Sequence, residues 1–260
     1  MELIGIGLVS LFGFFTVGFL ASRAHRNWSW VDVLWTFSFP FLCVVLMLWE
    51  GELFRFIPFV ALTLMYAIWA LRLGTHLSRR ILRLHPVMEG RYLKLAAQWK
   101  RHETRSFFLF FMAQAVLAAI LATPVFFMAR PGELDSNAWI IGVVFWLLAF
   151  FGELVADAQL ESFKADPNNK GAVCEKGLWA YSRHPNYFFE WLMWVAYALM
   201  TTLVHKDGWI SFIAPLLMLL LVTKVTGIPP TEAQSLRSRG DAFRDYQRRV
   251  SAFVPWKPKR

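Results

Sequence analysis

Long apolar runs, separated by short stretches rich in charge, set the pattern of this chain. Runs at 3–21, 31–49, 54–72, 106–128, 138–157, 187–204 and 209–228 each approach the ~20 apolar residues that carry a helix across a bilayer. None alternates apolar and polar positions with period two, as the strands of a membrane barrel do. The pattern predicts an all-α polytopic membrane protein with seven transmembrane helices. The first run lacks a basic start and a small-residue cleavage site, and further spans follow it. It therefore reads as a retained helix and not as a signal peptide. No soluble domain, low-complexity linker or internal repeat interrupts the series, so residues 1–260 read as a single membrane domain.

Charge adds an orientation. With seven spans, segments 22–30, 73–105, 158–186 and 229–260 share one side. That side, with Arg72 at its border, carries 23 of the 27 Lys and Arg residues. Arg55, Arg130 and Lys206 fall on the other side, and Lys224 within the last span. Cytoplasmic segments carry the positive excess, so the N-terminus is expected outside and the C-terminus in the cytoplasm, as in a bacterial inner membrane. Composition agrees: 57% of the residues are hydrophobic and the mean hydropathy is +0.43, more apolar than a soluble domain. The net charge of +9 then needs no nucleic acid. Anionic lipid is attracted to such a face, and so is an anionic cofactor. Cys43 lies in a span and Cys174 in a loop, which suits neither a disulfide nor a zinc site.

Candidate chemistry sits in polar residues on apolar helices. In "FGELVADAQLESFKADPNN", Glu153, Asp157 and Glu161 are four apart and share one helix face, with Lys164 three further on. A carboxylate deep in a bilayer costs roughly 2.5–3.5 kcal/mol on insertion scales. Asp157 has apolar residues on both sides, whereas Glu161 fits a helix end in water. In "AYSRHPNYFFEW", Pro185 suits the first helical position, where its missing N–H costs nothing. A helix starting near His184 has Asn186 and Glu190 one turn apart on one face, beside Tyr187. Its N-terminus is a natural anion site, with Arg183 alongside; Arg183 also suits a lipid headgroup. Arg72 ends the third run, with Trp69 and Tyr66 one and two turns deeper. "VMEGRYLKLAAQWKRH", with Arg91, reads as an interfacial amphipathic helix. Asp32 stands about one turn inside the second run, as a helix-start carboxylate or a functional acid. Glu232 lies just past the last run. Beyond it Gly240 breaks a helix, and Phe243, Tyr246, Phe253, Val254 and Trp256 suggest that the C-terminal segment docks back.

The segments "DAQLESFK", "GLWAYSRHPNYFFEW" and "TEAQSLRSRGDAFRDYQRRVSAFVPW" resemble the bacterial branch of the steroid 5α-reductase family. The likeness covers at least residues 140–256 and extends more weakly to "VDVLW", "LR" at 71–72 and "EGRYLKLAAQW". Sterol C14 and C7 reductases share the RHPNY-to-Glu signature, and isoprenylcysteine methyltransferases have a related core. The resemblance implies a monomeric membrane reductase that uses NADPH to reduce the C=C bond of a 3-oxo-Δ4 steroid or a similar enone lipid. Residues 1–105 would supply the substrate-side helices and a cytoplasmic loop, and 106–260 a cofactor-binding core and tail. By matching position it implies that Asp157, Lys164, Arg183, His184, Asn186, Tyr187, Glu190, Glu232 and Tyr246 line the dinucleotide. Arg72 and Arg91 would lie near its phosphates. An acid and a tyrosine would polarise the substrate carbonyl; Asp32 and Tyr66 are the candidates, although Trp69 competes for the tyrosine position. The alternative is a methyltransferase using S-adenosylmethionine, a cofactor with a sulfonium and no phosphate. A lipid-binding or transport protein without chemistry would explain the apolar bulk but not Asp157, Asn186 and Glu190.

Overall fold

The computed structural model describes residues 2–130 and 137–259. Its described residues form helices joined by turns and loops, without a strand. Six helical segments are long and apolar enough to cross a membrane: Glu2–Ala24, Trp30–Trp49, Ile57–Leu84, Lys100–Leu121, Trp139–Ala165 and Gly208–Arg239. They coincide with six of the seven runs. The run at 187–204 forms a helix, Pro185–Thr202, that is not among them; besides Asn186 and Glu190 it carries Pro185, two Tyr, two Trp and two Thr, which are weakly apolar or polar. The chain folds as two compact units, Met1–Asp135 and Ser136–Arg260.

The first unit contains α1 (Glu2–Ala24), α2 (Trp30–Trp49), α3 (Ile57–Leu84), α4 (Gly90–Gln98), α5 (Glu103–Leu121) and α6 (Thr123–Met128). Helices in lipid pack where small residues let backbones approach. A Cβ at Gly18 of α1 would meet Leu34 of α2 at 2.3 Å, and one at Gly74 of α3 would meet Phe37 at 2.4 Å. The Trp28 ring stacks on Phe19 at 5.5 Å and on Phe107 at 4.6 Å, and its Nε1 donates to Glu103 Oε1 at 2.7 Å. This sandwich fastens α5 to α1, so the break between units falls after α6 and not at residue 105.

Two boundaries differ from the runs for identifiable reasons. The run at 106–128 breaks at Ala122, with Pro124 opening α6; a proline fits a first turn and not a helix interior. The third helix continues twelve residues past Arg72 to Leu84. The charged stretch after residue 72 has no breaker until Pro86, so Arg72 is a mid-helix residue and not a helix end.

The second unit contains α7 (Trp139–Ala165), α8 (Pro185–Thr202), α9 (Ile213–Leu220), α10 (Ile228–Arg239) and α11 (Asp241–Arg249). A π-helical turn at Leu221–Val225 follows α9. The α7–α8 pair is antiparallel and close: a Cβ at Gly142 would meet Met200 at 2.6 Å, and one at Gly152 would meet Phe189 at 2.4 Å. Gly240, at φ +53°, separates α10 from α11, a conformation that costs glycine little.

The C-terminal segment docks back within this unit. Ser182 and Ser251 form a parallel bridge, Arg183 N donates to Ser251 O at 2.8 Å and Trp256 N to Tyr181 O at 2.9 Å. Phe243, Tyr246 and Phe253 are buried, and the Phe253 ring packs against Phe188 and Trp191. Val254 and Trp256 are exposed instead, so the main chain holds this stretch and those two side chains do not.

Candidate functional site

In the second unit the polar residues gather where α7 ends and α8 begins. The antiparallel register that pairs Gly152 with Phe189 brings the Asp157 end of α7 beside the Asn186 end of α8. The loop before α8 is tied there: Trp179 Nε1 donates to Ala156 O at 2.9 Å and Leu178 N to Gln159 Oε1 at 2.8 Å. Along α7, burial falls toward the end. Glu153 is 6% exposed, Asp157 half-buried, and Glu161 and Lys164 exposed. Glu153, which is not among the residues the resemblance implies, is thus the most buried of the three acids on this face.

The helix α8 starts at Pro185 without a side-chain cap. Its first bonded amide is that of Phe188, which donates to His184 O at 3.1 Å. Among the described residues the N–H groups of Asn186 and Tyr187 have no hydrogen-bond acceptor. Such groups at a helix start attract an anion or an acceptor oxygen. The Asn186 Oδ1 atom is also shielded from solvent and without a hydrogen-bond donor among the described residues. Four residues on, Glu190 Oε1 accepts from Trp194 Nε1 at 3.2 Å.

Arg183, His184, Glu232 and Tyr246, distant in sequence, form a clamp. Arg183 Nε donates to Glu232 Oε1 at 2.7 Å, and its Nη1 donates to Gln247 O at 3.0 Å and to Val250 O. His184 Nε2 lies 3.2 Å from the same carboxylate oxygen, and Gln247 Nε2 donates to Glu232 Oε2 at 2.6 Å. The His184 ring stacks on Tyr187 at 5.3 Å, and the Tyr187 hydroxyl meets Thr231 Oγ1 at 3.2 Å. Tyr246 donates to Trp179 O and Ser182 O. Burial pushes its phenol up from the usual tyrosine range, which keeps it a donor. Arg183 was expected to face an anion. Its guanidinium is instead spent on a carboxylate and two carbonyls, and it holds the start of α8 to α10 and α11. No sequence spacing announces Gln247 as a partner.

In the first unit the expected pair of Asp32 and Tyr66 does not assemble. Arg91 Nη2 donates to both Asp32 oxygens, at 2.8 and 2.7 Å, and the Tyr92 hydroxyl donates to Oδ1 at 2.8 Å. Tyr92 is fully buried; burial, then the Asp32 charge, pushes its phenol up. The contact anchors α4 to the first turn of α2. Tyr66, also fully buried, stacks on Phe39 at 5.5 Å. Phe39 is seven residues along α2 from Asp32, roughly 10 Å at the helical rise. Asp32 is therefore a paired carboxylate at the helix start, two turns from the level of Tyr66. Trp69 packs edge-on against Trp35 at 6.0 Å and Phe39 at 5.9 Å. Arg72 is half-buried on α3. Nothing in the sequence marks Tyr92 as a partner of Asp32, 60 residues away; the fold brings them together.

A family model described as "Protein of unknown function (DUF1295)" matches residues 18–250. No curated protein and no solved structure matches the chain.

Proposed function

The chain belongs to this family, whose description assigns no activity, and from its own residues we propose an NADPH-dependent reductase of a conjugated enone lipid, such as a 3-oxo-Δ4 steroid. The observation that carries the reading is the start of α8. There, two amide N–H groups and the shielded Asn186 Oδ1 await partners, next to Glu190 and to the acidic face of α7. A dinucleotide offers phosphate oxygens for the amides, and ribose hydroxyls and a carboxamide for Asn186 and Glu190. When bound, the cofactor supplies the hydride for the β carbon of the enone. The chain's residues position it, and a proton reaches the α carbon. Negative charge develops on the enone oxygen, which a donor in a dry site stabilises by ~2.7–4 kcal/mol. Tyr66, fully buried, is the donor in this reading. Asp32, already accepting from Arg91 and Tyr92, has no part in it. The charge asymmetry of the sequence supports a cytoplasmic cofactor side, an external N-terminus and an inner-membrane location.

A second reading has a specific observation in its favour. Arg183 is engaged by Glu232 and Arg91 by Asp32, and the paired helices α7 and α8 carry the acids Glu153, Asp157 and Glu190. An acidic face suits the sulfonium and amine of S-adenosylmethionine better than a polyphosphate. Melting the detergent-purified protein with each cofactor decides between the two. NADPH at 100 times its Kd should add ~2.7 kcal/mol of apparent stability. A shift with S-adenosylmethionine and none with NADPH would replace the reductase by the methyltransferase.

Glu190→Ala is expected to weaken NADPH binding by about 10–100-fold, the worth of a hydrogen bond to a charged group, and to lower the stability of the folded, unliganded protein by about 1–3 kcal/mol through the buried Trp194 Nε1 it leaves without this acceptor. Titration of the purified variant checks this. Wild-type affinity would leave Glu190 a structural residue that accepts from Trp194.

A further inference from the structure

The first unit holds a cavity of about 390 Å³ that the proposed reaction does not use, of a size typical of small-molecule sites. Gly18, Ala21 and Ser22 of α1, Leu34 of α2 and Leu82 of α3 line it, and the exposed imidazoles of His25 and His85 stand at its edge. The α1 wall is made of small side chains: Gly18 lets Leu34 pack directly on its backbone, and Ala21 carries a single methyl. Ser22, in the wall, has a buried hydroxyl without a partner among the described residues.

The charges beside the cavity are one-sided. Arg23 and Arg26 flank His25, and Arg79 and Arg83 precede His85 on the last turns of α3. All four are exposed, and among the described residues none has a carboxylate partner. The acids of this region are taken: Glu89 by Arg80 at 2.6 Å, Asp32 by Arg91 at 2.7 Å, and Glu103 by Trp28. An apolar cavity at the end of membrane-crossing helices, edged by cations without counter-ions, matches one kind of molecule. We propose that it holds an acyl chain of an anionic phospholipid, whose phosphate rests among His25, His85 and the neighbouring arginines. Surface lysines and arginines attract anionic lipid generally. What distinguishes this place is the cavity, which fixes a chain as well as a headgroup. The site does not depend on the reaction proposed above.

The test is native mass spectrometry of the detergent-purified full chain with added dioleoylphosphatidylglycerol or dioleoylphosphatidylcholine. The phosphatidylglycerol is expected to stay bound and the phosphatidylcholine, with identical chains, to be lost. Ala21→Trp fills the cavity and should abolish retention. The double variant Arg26→Gln/Arg83→Gln leaves the cavity open and should weaken binding about thirtyfold, from two charges near a lipid surface. Equal retention of the two lipids by the wild-type protein overturns the proposal, as does undiminished phosphatidylglycerol binding by a folded Ala21→Trp. Should that variant not fold, undiminished binding by the double variant, altered only at exposed positions, overturns it instead.

Discussion

Arg183→Ala is expected to destabilise the protein by about 3–5 kcal/mol, the cost of breaking a buried ion pair from one side. The Arg183 and Glu232 side chains are only 11% and 13% exposed. Removing the guanidinium leaves the Gln247 and Val250 carbonyls without this donor, while His184 and Gln247 still reach Glu232. Those surviving partners favour the lower end of the range. The loss should begin locally: residues beyond Gly240 become protease-sensitive before the remainder unfolds. Arg183→Lys keeps the charge but not the planar fork that serves three acceptors, so it should fall between alanine and wild type. Denaturant titration in detergent, with limited proteolysis beside it, reads both effects. A cost below 1 kcal/mol for Arg183→Ala would mean that the clamp is incidental and would restore the anion-binding role.

Tyr66→Phe is expected to lower enone reduction by roughly 10²–10³, the usual loss for one oxyanion donor, with NADPH affinity unaltered. This test rests on the reductase reading. The ring and its stacking on Phe39 survive the change, so packing is nearly conserved and only the hydroxyl is lost. Steady-state turnover of a steroid enone, together with a nucleotide titration, separates a chemical defect from a binding one. Normal turnover by Tyr66→Phe, coupled with inactive Trp69 variants, would move the substrate-polarising position one turn along α3. Asp32→Asn serves as the counterpart. It should loosen α4 through Arg91 and Tyr92 and leave the chemical step intact.

Local features of the chain were legible, and remote pairings were not. Apolar runs announce α1, α2 and α7 because hydrophobic length is a property of neighbouring residues. Pro185 and Gly240 mark a helix start and a helix break through their own backbone restrictions. Where two local signals competed, the runs misled. Pro124 outweighs the apolar continuity at 106–128, and the polar stretch after Arg72 stays helical because charge alone does not end a helix. The site followed the same division. The polar face of α7 and the start of α8 are readable from spacing. Arg183 meets Glu232 across 49 residues and Asp32 meets Arg91 across 59, and only the fold decides such meetings. A basic residue beside a helix start carries no mark in sequence that separates an anion ligand from a structural clamp.

The bridge between Ser182 and Ser251 is the one strand-like contact among the described residues, and backbone atoms make it. The Trp256 and Lys259 amides extend the attachment, donating to Tyr181 O and Arg249 O at 2.9 Å each. Main-chain recognition is indifferent to most side-chain drift, so residues such as Val254 and Trp256 are free to vary. It is intolerant of changes in length. Adding or deleting one residue between Val250 and Phe253 would rephase the pairing and turn Phe253 to the opposite face, away from Phe188 and Trp191. Along this stretch the chain is constrained in its count of residues more than in their identity.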